Sequence, residues 1–241
     1  MSSFLLENYV LIYRSAEILA AVAGLVLYKK FKSKAVRLFI WFLVYVQFIE
    51  IVGAYPLFLA KTEQFSWLKS IIKNTIFDRN FWFFQVFWTV LSTAIIALYF
   101  ILGNKNNGIK KGLKILLTSF LVLSTIILIV DYNALHTNSI FSLEILSLIV
   151  ILSVTICYFI QLLDSEQILK FYKSLSFYIA IGVFFFWLVT TPLYFFEQYF
   201  NANDYAYVHI KNYVYLFSIV FMYLSFAIGF IVSTPEKEIE K

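Results

Sequence analysis

Apolar positions along the chain gather into seven long runs, roughly 9–28, 36–60, 81–102, 112–131, 140–163, 176–199 and 209–233, with short polar stretches between them. About 20 apolar residues in helical conformation cross a hydrocarbon layer of about 30 Å, so each run is long enough to span a membrane. The runs do not alternate apolar with polar residues, as the strands of a membrane barrel would. Lipid offers no partner to an open strand edge, which leaves helices. The pattern predicts an all-α polytopic membrane protein, a single transmembrane domain of seven helices over residues 1–241. The polar stretch 61–80 has a pattern of its own. Trp67, Leu68, Ile71, Ile72 and Ile76 recur at helical spacing opposite Lys69, Ser70, Lys73 and Asn74. This predicts a short amphipathic helix in the interface, either resting there or acting as a lid.

Composition agrees with that reading. The chain is 62% hydrophobic and 14% charged, with a mean hydropathy of +0.84. A water-soluble core does not need so much apolar surface. The distribution of the basic residues then sets a direction. Thirteen of the nineteen Lys and Arg residues fall in 29–37, 103–114, 164–175 and 234–241. Short loops rich in Lys and Arg stay in the cytoplasm, so the expected orientation is N-out and C-in. Met1 to Asn8 carry Glu7 and no basic residue, a poor start for a signal peptide, so the first span is expected to be retained. The net charge of +5 then reflects topology and contact with anionic lipid, not nucleic-acid binding. Cys157 is the single cysteine, so no internal disulfide can form. The abundance of Phe, Ile, Lys, Asn and Tyr suggests a bacterial gene, and hence the inner cell membrane.

Three short segments recur in the same order in both halves. Ser15-Ala16-Glu17-Ile18-Leu19 matches Ser142-Leu143-Glu144-Ile145-Leu146; Tyr55-Pro56-Leu57-Phe58 matches Thr191-Pro192-Leu193-Tyr194; and Leu91-Ser92-Thr93-Ala94-Ile95 matches Leu224-Ser225-Phe226-Ala227-Ile228. The order predicts two parallel three-helix repeats joined by one extra helix, a 3+1+3 arrangement. In architecture this resembles the PQ-loop and SWEET sugar transporters, the nicotinamide riboside transporter family and the microbial rhodopsins. The chain has no Pro-Gln pair, and the only lysine of its last span, Lys211, lies at one end, away from a retinal-bearing position. No site residue is carried over from these families.

Charged groups inside a bilayer cost about 2.5–3.5 kcal/mol each on insertion scales, so they are the first candidates for function. Counting along an unbroken second span puts Glu50 near mid-membrane, with Gln47 on its face. A lone carboxylate there is costly, so the expectation is a neutral carboxyl sharing hydrogen bonds. The alternative is an ion pair with Arg14, which the count sets nearer the outer surface. Arg14 and Glu17 are three residues apart and can pair. Gln85, Thr190, Thr191 and Glu144 complete the set of ligand- or proton-binding candidates, with Glu144 shallow enough to be solvated. Pro56 and Pro192 are candidate hinges, or simple helix ends. Nearly all these groups fall in the outer half, which suggests an outward-facing polar cavity.

There is no Gly-rich phosphate loop, no zinc-protease or hydrolase signature and no Cys cluster. No enzymatic activity, cofactor or metal is therefore expected. The sequence reads as a sensor-like or accessory subunit, relaying the state of its cavity to a membrane or cytoplasmic signalling partner. A secondary carrier for a small solute is the alternative. Oligomeric state, ligand and partner identity are not encoded in any recognisable pattern.

Overall fold

A computed structural model describes residues 2–197 and 205–234. Seven of its helices are long and apolar enough to cross a membrane. They are α1 (Tyr9–Val26), α2 (Lys34–Gly53), α3 (Phe81–Gly103), α4 (Asn107–Val130), α5 (Phe141–Leu163), α6 (Leu175–Glu197) and α7 (Tyr205–Val232). Each coincides with one predicted run. The last two residues of the sixth predicted span, and 235–241 of the basic tail, lie outside the described residues.

The helices α1, α2, α3, α5, α6 and α7 pack in that order into a ring, which α7 closes against α1. α4 lies outside the ring, against α3 and α5. Burial follows this arrangement: 56% of the α3 window is buried, but only 22% of the α4 window. Large apolar side chains such as Val26, Trp41, Ile51, Ile129 and Phe217 cover the outside of the bundle, as a bilayer requires.

The connections α1–α2, α3–α4 and α5–α6 and the C-terminus of α7 share one end of the bundle, where most Lys and Arg residues lie. Here Lys30 Nζ donates to the carbonyls of Phe230 and Ile231 at 3.3 and 3.5 Å, satisfying two of the free carbonyls at the end of α7. Thr234 N donates to the Lys173 carbonyl at 3.1 Å. α4 begins earlier than the apolar run because Asn106 caps it, accepting from Gly108 N and Ile109 N at 2.9 and 3.3 Å. In this half the ring is filled by aromatics. Phe39 of α2 is fully buried, edge-to-face with Phe226 at 5.0 Å and tilted against Tyr99 at 5.4 Å. α6 and α7 approach closely: a Cβ at Gly229 would lie 2.7 Å from Tyr178 Cβ.

The opposite half holds the polar groups and two departures from regular helix. α2 breaks at Ala54, and a short helix, Tyr55–Lys61, continues the chain with Pro56 in its first turn. Pro56 has no N–H to continue the ladder. Asn80 Nδ2 donates to the Gly53 carbonyl at 2.8 Å, and the Tyr55 hydroxyl lies 2.8 Å from the carbonyls of Phe77 and Arg79. These contacts fold the 61–80 segment back on the break. Within that segment Ser66–Ile72 is helical, as its spacing predicts, with Trp67 and Ile71 exposed. In α3, residues Phe84–Ser92 form a π-helix, a rare conformation that often coincides with functional positions.

Candidate functional site

Two buried polar clusters lie in this half, one on each side of the ring. The first is built by α1, α2 and α7. The break in α2 creates its anchor. In an unbroken helix the Ala54 N–H would donate to the Glu50 carbonyl, four residues back; here it turns to Val52 instead. The freed Glu50 carbonyl accepts from Arg14 Nη2 at 3.1 Å, and the Glu50 carboxylate accepts from the same nitrogen at 2.9 Å. Arg14 Nη1 lies 3.9 Å from Glu17 Oε2. The guanidinium also sits 5.6 Å from the Tyr13 ring centroid.

This is the Arg14 contact that the sequence reading held as the alternative for Glu50. The depth count assumed a straight helix through residue 60, with Arg14 nearer one surface. The break at Ala54 instead places Glu50 in the last turn of α2, level with Arg14. The pair retains some access, with side-chain exposures of 24% for Arg14 and 20% for Glu50, whereas Glu17 is sealed.

Three polar atoms at this cluster are buried without a hydrogen bond: Glu17 Oε2, Gln47 Nε2 on the face of α2 that bears Glu50, and the hydroxyl of Tyr223 on α7. Tyr223 is fully buried within electrostatic reach of Arg14, Glu17 and Glu50. Buried polar groups are nearly always satisfied, so each of these unbonded atoms is unusual.

The second cluster joins α3, α5 and α6. Glu144 Oε1 accepts from Gln85 Nε2 at 2.7 Å and from Thr89 Oγ1 at 2.9 Å. Gln85 Oε1 accepts from Ile140 N at 3.1 Å. One turn further along, Thr93 and Ser147 share a short hydrogen bond, and Trp187 Nε1 of α6 donates to Ser147 Oγ at 2.8 Å. All these groups are buried. The π-helix carries Gln85 and Thr89 and also exposes the Phe87 carbonyl, which accepts from Tyr45 of α2 at 2.8 Å. Trp88 stacks on Trp187 at 6.1 Å, tying the same segment to α6.

The expected solvation of Glu144 is therefore wrong. The turn Tyr132–His136 packs over the start of α3, with Leu135 and Ile140 buried, and this covers the end of α5. Shallow position along a helix does not mean access to water when the connection folds over it.

The remaining candidates do not join either hydrogen-bond set through their described contacts. Thr190 returns its hydroxyl to the Phe186 carbonyl of its own helix at 2.7 Å, and Thr191 is buried beside it. Pro56 opens the short helix after the break, whereas Pro192 lies inside the continuous α6. The sequence reading missed Tyr223 and Ser147. Ser147 could have been found by helical spacing, because it lies three residues from Glu144 just as Thr93 lies four from Thr89. Tyr223 carried no signal in a chain with 17 tyrosines.

Two grooves of about 500 and 470 Å³ are apolar and lie on the outside of the bundle, one beside Val26 and Trp41, the other between α6 and α7 around Phe217. Neither borders the buried carboxylates. Comparison of the chain with protein-family models, with curated proteins and with solved structures finds no match.

Proposed function

We propose that this chain is a sensor-like or accessory subunit of the cell membrane, that the Arg14–Glu17–Glu50 cluster is its binding site, and that it performs no catalysis. The observation that carries this reading is Glu17 Oε2, buried without a hydrogen bond 3.9 Å from a guanidinium that Glu50 already engages, with the unbonded Tyr223 hydroxyl of α7 in electrostatic reach. Such a site changes its interactions when a ligand arrives.

The route for a relay is the α1–α7 pair. The two helices pack against each other, with Tyr223 of α7 in electrostatic reach of the site. They pack closely again at Gly24, where a Cβ would lie 3.3 Å from the Phe230 ring, and meet at the basic end through Lys30. With N-out and C-in orientation, from the positive-inside bias, the site faces the outer half and the Lys30 contact faces the cytoplasm, where a partner would read it. Single cysteines at Ser33 and Asn138, in a Cys157-free background, are expected to label from inside and outside respectively; the reverse pattern inverts the orientation. For the relay, spin labels at Lys32 and Thr234 are expected to change separation by several ångströms between the wild-type and Arg14→Gln proteins. An unchanged distance distribution removes the relay.

One observation favours the carrier alternative. Three short segments recur in the same order in both halves, and two parallel repeats would bring Glu17 over Glu144. Against it stands the aromatic filling around Phe39 in the second half. Solute uptake into proteoliposomes, abolished by Arg14→Gln, would replace the sensor reading with the carrier.

A further inference from the structure

The charges of the first cluster do not balance. Arg14 supplies one positive charge to two carboxylates, and it serves them unequally. Glu50 takes the close contact at 2.9 Å, together with the backbone bond at 3.1 Å. Glu17 is left at 3.9 Å, with its Oε2 free of any hydrogen bond and only 4% of the residue exposed. The titratable groups facing Glu17 are Tyr13 and Arg14 on α1, Glu50 on α2 and Tyr223 on α7, with Tyr9 one turn away beside Tyr13. None of them adds a second cation. A buried charge left without compensation is among the most expensive arrangements a protein can hold, and more so when lipid surrounds the bundle. The hydroxyl of Tyr223, fully buried and without a hydrogen bond, lies in electrostatic range of the same carboxylate and is a second polar atom able to change partner.

We propose that the Arg14–Glu17–Glu50 cluster holds one exchangeable monovalent cation at Glu17, either a proton or an alkali-metal ion. This rests on the binding-site reading above and names the class of ligand. A proton forms an O–H bond on the Glu17 carboxylate and removes the surplus negative charge, so the site becomes neutral. An alkali ion reaches the same neutrality through Glu17 Oε2 and the Tyr223 hydroxyl, with no covalent change. In both cases Arg14 stays with Glu50. The second cluster sets the contrast: Glu144 receives two neutral donors on one oxygen, and no cation there is divided between two carboxylates.

The test is infrared difference spectroscopy of the full chain in nanodiscs of phosphatidylethanolamine and phosphatidylglycerol. Two perturbations are applied separately: acidification at constant salt, and exchange of choline for sodium or potassium at constant pH. If the ligand is a proton, a protonated-carboxyl band grows on acidification, disappears in Glu17→Gln and survives in Glu144→Gln. If it is an alkali ion, the carboxylate bands move on exchange for choline, and the movement is lost in Glu17→Gln. The absence of any Glu17-dependent change under both perturbations overturns the proposal. Should Glu17→Gln fail to fold, Glu17→Asp keeps the carboxyl and is expected to move the band in frequency; an unmoved band likewise overturns it. The spin-label distance between positions 32 and 234 separates this inference from the relay. Cation uptake without a distance change removes the relay alone. A distance change in Arg14→Gln without uptake removes the cation alone.

Discussion

Glu17 and Glu144 occupy matching frames in the two halves of the chain, and both are buried, at 4% and 6% exposure. Their surroundings differ in kind. Glu144 is gripped by neutral donors: Gln85 and Thr89 project from the π-helical stretch of α3 onto one carboxylate oxygen, and the same Gln85 also binds the Ile140 N–H ahead of α5. Each donor side chain has a partner, and the hydroxyl pair Thr93–Ser147 with Trp187 extends the bonding to α6. Glu17 faces a guanidinium already engaged by Glu50 and keeps one oxygen bare. The difference shows that burial alone does not distinguish a structural carboxyl from a changeable one. Saturation does. A saturated cluster resists change because every alternative loses a bond, whereas an under-bonded one gains by taking a ligand.

The largest expected effect comes from removing the cation. Arg14→Gln leaves two buried carboxylates without compensation and is expected to cost about 3–5 kcal/mol, read as a strongly lowered melting temperature in detergent. Adding Glu50→Gln in the same chain is expected to recover part of this. A double variant no better than Arg14→Gln alone would mean that the ion pair is not the basis of the first cluster.

Next in size is Gln85→Leu, which removes two of the bonds that seal the second cluster. A loss of about 2 kcal/mol is expected. A loss below that of a surface substitution would erase the distinction between the clusters.

The two matched carboxylates are expected to respond with opposite sign to one substitution. Glu144→Gln keeps an acceptor for Thr89 but brings a new donor into a site already filled with donors, so stability falls by about 1 kcal/mol. Glu17→Gln removes the surplus negative charge and leaves stability unchanged or raised. Parallel losses in both would place Glu17 with the structural carboxyls.

The smallest effect concerns the anchor of the first cluster. Pro56→Ala returns an N–H to the chain beyond the break and is expected to weaken the hold of Arg14 on the Glu50 carbonyl, costing no more than about 1 kcal/mol. Increased hydrogen exchange confined to residues 50–56 would report it.

The seven spans were legible because length and hydropathy decide them, and lipid enforces the rest. The Arg14–Glu17 proximity was legible too, since three residues on a helix share a face. What escaped was every contact that depends on a departure from straight helix. Glu50 lies in the last turn before α2 breaks at Ala54; Pro56 marked a hinge or helix end nearby, but not the contact with Arg14 that forms there. Gln85 and Thr89 reach Glu144 from a π-helix, whose wider turn has no hydropathy signature. The burial of Glu144 near the start of α5 also escaped, because the connection before it reads as an ordinary polar loop. The amphipathic pattern of 61–80 did locate the Ser66–Ile72 helix, though not the way Tyr55 and Asn80 fold it back on the break.

The order in which these contacts close also bears on how the chain enters the membrane. Arg14 and Glu50 are only 36 residues apart, so the ion pair can form within the first hairpin, while later helices are still being made. The most expensive charges in the bundle are thus neutralised earliest. The Gln85–Glu144 bond spans 59 residues and must wait for α5. Lys30 waits longest: its partners on α7 lie 200 residues downstream, so the cationic end of α1 stays unlatched until the last helix arrives. A chain truncated before α7 would keep its first ion pair but lack the ring, leaving the α1 face that carries Glu17 open to lipid. Closing the ring removes that cost, because a carboxylate facing lipid is among the most expensive groups a helix can carry.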